Sequence, residues 1–138
     1  MEIPGDSGGS ERWWQEHSEL DQRVRELEEA IESQHIGAAN AALERLTEAI
    51  EAHFEVEEAV YFPLVERFSP SHVPAVKAAR LGHAQIREVL EDLRNLVEQG
   101  QIVAARGSLR IFLTRFQSHE AREAQMIRDL SDLEEVRA

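Results

Sequence analysis

The 138-residue chain contains no cysteine, which excludes disulfides, thiolate metal sites, iron–sulfur clusters and thiol catalysis together. Any metal here has to be held by histidine and carboxylate, donors that suit iron, manganese or zinc. Proline and glycine are also scarce, 4 and 7 residues. No stretch after the first ten residues is rich in them, so the chain reads as one domain large enough to bury a core. Positive charge is in short supply too. Fifteen Lys and Arg face 27 Asp and Glu, and the resulting net charge of −12 repels phosphate backbones and anionic lipid, so neither nucleic acid nor a membrane surface is expected as a partner. No run of about 18 apolar residues occurs. The opening MEIPGDSGGS lacks the basic and apolar regions of a signal peptide, so a cytoplasmic location is expected.

What is present is helical periodicity. Hydrophobic residues make up 42% and charged residues 30%, the balance of a soluble helical protein. Residues 1–9 read as a loose tail and Ser10 as the cap of a first helix, whose stripe is Trp13, His17, Leu20, Val24, Leu27 and Ile31. After the turn SQHIG a second helix over about 37–68 carries Leu43, Leu46, Ile50, His53, Glu57, Val60, Tyr61, Leu64 and Phe68 on one face. Pro63 within it should loosen the turn reaching back to Ala59. SPSHVP breaks the chain again. A third helix over about 74–98 aligns Val76, Ala79, His83, Ile86, Leu90, Leu93 and Val97, and Gly100 closes it. The fourth aligns Leu109, Phe112, Phe116, His119, Glu123, Met126, Leu130 and Leu133. Four such helices with short connections predict an all-α, up-down-up-down antiparallel four-helix bundle spanning residues 10–138.

Each stripe holds one histidine, four of the chain's 6. Two residues of an antiparallel hairpin are level when their midpoint falls in the turn. The midpoint of His17 and His53 is residue 35, that of Glu57 and His83 is 70, and that of His83 and His119 is 101. All three lie in predicted turns, so the side chains share one layer. A register error of two residues displaces a donor by only about 3 Å. Glu57 follows His53 by four residues and Glu123 follows His119 by four, so each carboxylate points into the same interior volume as its histidine.

A lone histidine on an apolar face is ordinarily a hydrogen-bonded core residue, and a buried Glu could be paired with Arg87. Four level imidazoles and two carboxylates without a cation, however, would carry desolvation costs of several kcal/mol per ion or shift their pKa values until neutral. A metal offsets that cost. Six donors could surround one octahedral ion, but their spread over four helices, with two carboxylates able to bridge, suits two ions better. Ferritin-like di-iron bundles instead place Glu three residues before His. The only such pair here, Glu32 with His35, sits at a turn.

With His17, HFEVEEAVYFP, LGHAQIREVL and HEAREAQMI in view, the chain resembles the hemerythrin-like family, or HHE cation-binding domains, over about residues 11–130. The resemblance implies His17, His53, His83 and His119 as terminal ligands of two irons, with Glu57 and Glu123 bridging them beside an oxo or hydroxo group. Manganese or zinc is the lesser alternative. Two departures from the oxygen-carrying hemerythrins stand out. Arg87 occupies the position four residues after His83 where those proteins have another histidine, and Glu123 replaces an aspartate one residue further on. Four histidines rather than five leave more open coordination positions, which favours turnover over protected O₂ binding.

The expected partner is therefore a small ligand, O₂, H₂O₂ or nitric oxide, with peroxide disproportionation preferred and an O₂ carrier or iron sensor as the alternative. Arg87 is a candidate to hydrogen-bond a bridging carboxylate or steer an anion, against a plain surface role. Tyr61 is a candidate to contact a bridge through its hydroxyl, against plain core packing. Glu58 is expected to face solvent or an arginine. Trp13 and Trp14 are expected to pack the bundle end, and His35 and His72 to have no part in the site.

Overall fold

The structure, a computed structural model, describes the backbone of residues 7–137 and the side chains of residues 13–129 and 132. Helix α1 is Ser7–Glu32. The chain turns through Gln34, which takes the left-handed conformation at φ 57. Helix α2, Ile36–Val56, starts there. His35 caps it by accepting the Ala38 amide at 2.9 Å on its Nδ1, which gives this turn histidine a local structural task. A π-helical segment, Glu57–Tyr61, carries the chain into α3, Phe62–Phe68, so these three pieces form one rod. A short 3₁₀ turn over Pro70–His72 leads to α4, Val73–Glu98. Gly100, at φ 71, ends that helix with its amide on the Val97 carbonyl, and α5, Ile102–Arg137, follows. The rods pack in a ring, α1 on α2, α2 on α4, α4 on α5 and α5 on α1, as an all-α four-helix bundle.

Two expectations are corrected. Ser10 lies inside α1, which begins at Ser7; the Ser-Gly-Gly stretch is a poor but permitted helix former, so the helix runs back past the residue that reads as its cap. Residues 1–6 of the expected tail lie outside the described residues. Val60 is the other correction, 48% exposed rather than buried. Pro63 has no amide to donate to Ala59. The strain is relieved upstream, where the Phe62 amide reaches five residues back to the Glu57 carbonyl. That wider turn takes in an extra residue, so the buried face resumes on Tyr61, Phe62, Leu64 and Val65 and skips Val60.

The remaining predicted stripe residues of α1, α4 and α5 are buried wherever their side chains are described; Leu130 and Leu133 fall outside that description. The apolar core has two parts. A large one is built from Leu20 onward on α1, up to Phe54 on α2, from Ile86 on α4 and up to Phe116 on α5. Smaller clusters around Trp13, Tyr61, Phe62 and Met126 fill the opposite end. Between them every rod changes from apolar to polar at one level, where His17, His53, Glu57, His83, His119 and Glu123 are all buried.

Candidate metal centre

The six predicted side chains converge. His53 Nε2 lies 3.1 Å from Glu57 Oε2, and His83 Nε2 lies 3.0 Å from Glu57 Oε1 and 3.2 Å from Glu123 Oε2. His119 Nε2 is 3.0 Å from Glu123 Oε2 and His17 Nε2 is 3.6 Å from Glu123 Oε1. The donors divide into two buried sets, His17, His53, Glu57 and Glu123, and His83, His119, Glu57 and Glu123, with the donor atoms of each set within 4.8 Å of one another. Two donors across one ion at bonds of about 2.1 Å span about 4.2 Å, so each set has the dimensions of a coordination shell. Both carboxylates belong to both sets.

Unsatisfied valence points the same way. Buried polar atoms are ordinarily paired. Yet His17 Nε2, His53 Nε2, His119 Nε2, Glu57 Oε1 and Glu123 Oε1 are buried without a partner at hydrogen-bonding angles, although imidazoles and carboxylates face one another at 3.0–3.6 Å, and all belong to the converging donor sets. A pair of cations in this layer would satisfy all five.

The outward ring nitrogens are held by the protein, which fixes ring orientation and leaves Nε2 facing the interior. His17 Nδ1 donates to the Trp13 carbonyl at 3.0 Å, His53 Nδ1 to Glu16 Oε2 at 2.9 Å and His83 Nδ1 to Glu58 Oε2 at 2.6 Å. His119 Nδ1 has no such partner among the described residues. Its ring lies against Gly82 instead, where an added Cβ would come within 2.7 Å of Nδ1. Trp13 does more than end packing, because its indole N–H donates to Glu57 Oε2 at 3.2 Å.

Electrostatics follow from this crowding. Burial pulls the His53 imidazole down, but Glu57, Glu16 and Glu123 outweigh it and raise its pKa to about 9. His83 behaves alike. Burial lowers it, and Glu123, Glu57 and Glu58 together lift it to about 9. Glu123 is opposed by burial, yet the surrounding His119, His17 and His83 rings hold it well below the usual carboxylate range. Glu120, near His17 at 4.0 Å, is pushed up to about 8 by burial and by the negative field of Asp21 and Glu123.

A family model, the hemerythrin HHE cation binding domain, matches residues 8–130. The chain belongs to the hemerythrin HHE domain family. No curated protein and no solved structure gives a significant match. Membership accounts for a metal-binding layer in a helical bundle, and the donors of this HHE domain are chemically suited to it. Among the described residues no helix is long and apolar enough to cross a membrane.

Behind the donors of the HHE site stand the remaining candidate residues. Arg87 pairs with Glu51 at 2.8 Å and Glu58 at 3.4 Å, and not with Glu57 or Glu123, because it projects from the outer edge of α4. Glu58 meets that arginine as expected, but it is half-buried and also reaches His83. Tyr61 is buried in the cluster containing Trp13, Ala124 and Ile127. His72 stays outside the layer, tying the Ser69 hydroxyl at 2.6 Å to Asp129 at 2.9 Å. Sequence reasoning missed Glu16, Gly82 and Glu120 as neighbours of the donors, and missed the bond from His83 to Glu58. Signals existed for two: Glu58 is the second of the adjacent pair in HFEVEEAVYFP, and Gly82 interrupts a helical run next to a donor.

Proposed function

We propose that the two donor sets hold two iron ions, with Glu57 and Glu123 shared between them, and that the site turns over hydrogen peroxide to water and O₂. The observation that carries this reading is that both carboxylates lie in both donor sets. Mixed imidazole and carboxylate donors with open positions are the environment of non-haem iron. Four protein donors to each ion leave coordination positions that a fifth histidine would fill, and Arg87 stands where that histidine is found in oxygen carriers. Iron supplies the one-electron redox chemistry when bound.

The chain's own part is to orient and exclude. Trp13, Glu16 and Glu58 set the ring planes of His17, His53 and His83 through Nδ1 or its carbonyl contact. Trp13 and Phe54, both fully buried, flank the layer and limit water. Small ligands approach through clefts on the bundle surface, one of about 250 Å³ lined by Ala75, Ala78, Ala79, Met126 and His119. Tyr61 offers a buried phenol one turn beyond Glu57, and Tyr61→Phe is expected to lower turnover without changing metal content.

Stopped-flow addition of peroxide to the iron-loaded protein tests the reading. Sustained O₂ release at two peroxides per O₂ supports it, whereas a stable, reversible oxygenated spectrum with no peroxide consumption would assign the protein as a carrier.

A further inference from the structure

Arg87 and Glu58 have no direct contact with either shared carboxylate, yet they close on one donor from two directions. The first is polar. His83 Nδ1 is 2.6 Å from Glu58 Oε2, the shortest of the contacts that back the donor histidines, and the same Glu58 oxygen takes Arg87 Nη1 at 3.4 Å. Arg87 is itself anchored by Glu51 through Nε at 2.8 Å. The second direction is a stack. The Arg87 guanidinium lies over the Phe54 ring, 5.3 Å from its centroid, and the same ring stacks on His83, nearly parallel at 7° with centroids 3.6 Å apart, while His119 meets it edge-on at 5.8 Å. His83 is thus clamped in plane by Phe54 and in donor strength by Glu58. Both groups touch the same arginine. Among the described residues no other donor histidine has this arrangement: Glu16 backs His53 with no arginine of that set paired to it, and His17 is backed by a neutral carbonyl.

We propose that Arg87 is a positioning residue that sets the donor strength of His83 by sharing the Glu58 carboxylate, and so fixes the reduction potential of the metal position formed by His83 and His119. This rests on the di-iron reading above. A carboxylate accepting from Nδ1 makes an imidazole a stronger donor and stabilises the more oxidised metal. A guanidinium on the same oxygen draws charge away from that bond and moderates the effect.

The two substitutions therefore act in opposite senses. Glu58→Gln weakens the acceptor and raises the midpoint potential of the iron-loaded protein. Arg87→Met leaves Glu58 a stronger acceptor and lowers it. Because Arg87 acts through Glu58, Arg87→Met in the Glu58→Gln background leaves the potential where Glu58→Gln alone put it. Additive shifts in the double variant, or shifts of one sign in both singles, would overturn the proposal and leave Arg87 a bystander charge or a packing residue.

A readout independent of iron separates this inference from the function it rests on. In the metal-free protein the His83 Nδ1 proton resonance moves upfield in Glu58→Gln and downfield in Arg87→Met, following the strength of the bond. No movement in Arg87→Met would defeat the relay even if two irons bind. Opposite movements would sustain it even if iron proves to be the wrong metal.

Discussion

At the scale of single residues, the layer is demanding because each donor is fixed by something outside it. Gly82 is the sharpest case. Replacing it with Ala gains about 1 kcal/mol of helix propensity, while a Cβ at 2.7 Å from His119 Nδ1 forces that ring to move, an overpacking cost of about 1–3 kcal/mol. The net runs from about zero to about 2 kcal/mol of destabilisation. Gly82→Ala should therefore change the stability of the metal-free protein by no more than about 2 kcal/mol, yet weaken metal binding by roughly 10–100-fold, read by chemical denaturation and by metal titration. His35 gives the complementary test. His35→Ala removes an N-cap bond worth about 1 kcal/mol and leaves metal stoichiometry intact, whereas His53→Ala or Glu57→Ala should abolish binding of two metals. Equal metal loss in all three would mean general instability had been mistaken for ligation.

At the scale of elements, the second rod shows where sequence patterning reaches its limit. The 3.6-residue period places Val60 on the buried stripe, and among the described side chains it holds along α1, α4 and α5, which is why those stripes were legible to the residue. It fails at Glu57–Tyr61 because the π-turn shifts the phase by one residue. Pro63 was visible as a disturbance, but whether it would kink the helix or widen it depends on packing that no local pattern encodes. The phase shift makes a prediction by denaturation. Val60→Ser should alter stability by less than about 0.5 kcal/mol, while Phe62→Ala, one position on and buried, should cost about 3–5 kcal/mol. Similar effects at the two sites would remove the π-turn from the account. The donor layer itself was legible because hairpin midpoints depend only on turn positions. The residues behind the donors were not, since Glu16 and Glu58 sit off the stripe and reach inward by side-chain length alone.

For the whole molecule, a buried layer with six ionisable donors makes stability depend on pH and metal together. In the metal-free protein His53 and His83 have folded pKa values of about 9 against 6.5. Their contribution is complete below pH 6.5 and is lost as pH rises through about 9. Glu120, raised from 4.5 to about 8, acts in the same direction, its contribution being lost as pH rises from 4.5 to about 8. Glu123 is held well below 4.5, so its contribution is present above that pH and fades on acidification. The metal-free melting temperature should therefore peak near pH 4.5, decline above it and fall more steeply from about pH 6.5 toward pH 9. Metal must displace the protons on His53 and His83, so binding releases protons and tightens over the same rise in pH. The gap in melting temperature between loaded and metal-free protein should widen from pH 6.5 to 9; a constant gap would show that metal and protons do not compete for these rings.

The central claim is that two sets of donors share Glu57 and Glu123, and the number of irons bound per chain tests it most directly. Anaerobic titration of the metal-free protein with ferrous iron, followed by metal analysis after desalting, should give two irons per chain in the native protein and none retained in Glu57→Ala. One iron per chain, or two irons retained equally well by Glu57→Ala, would contradict it.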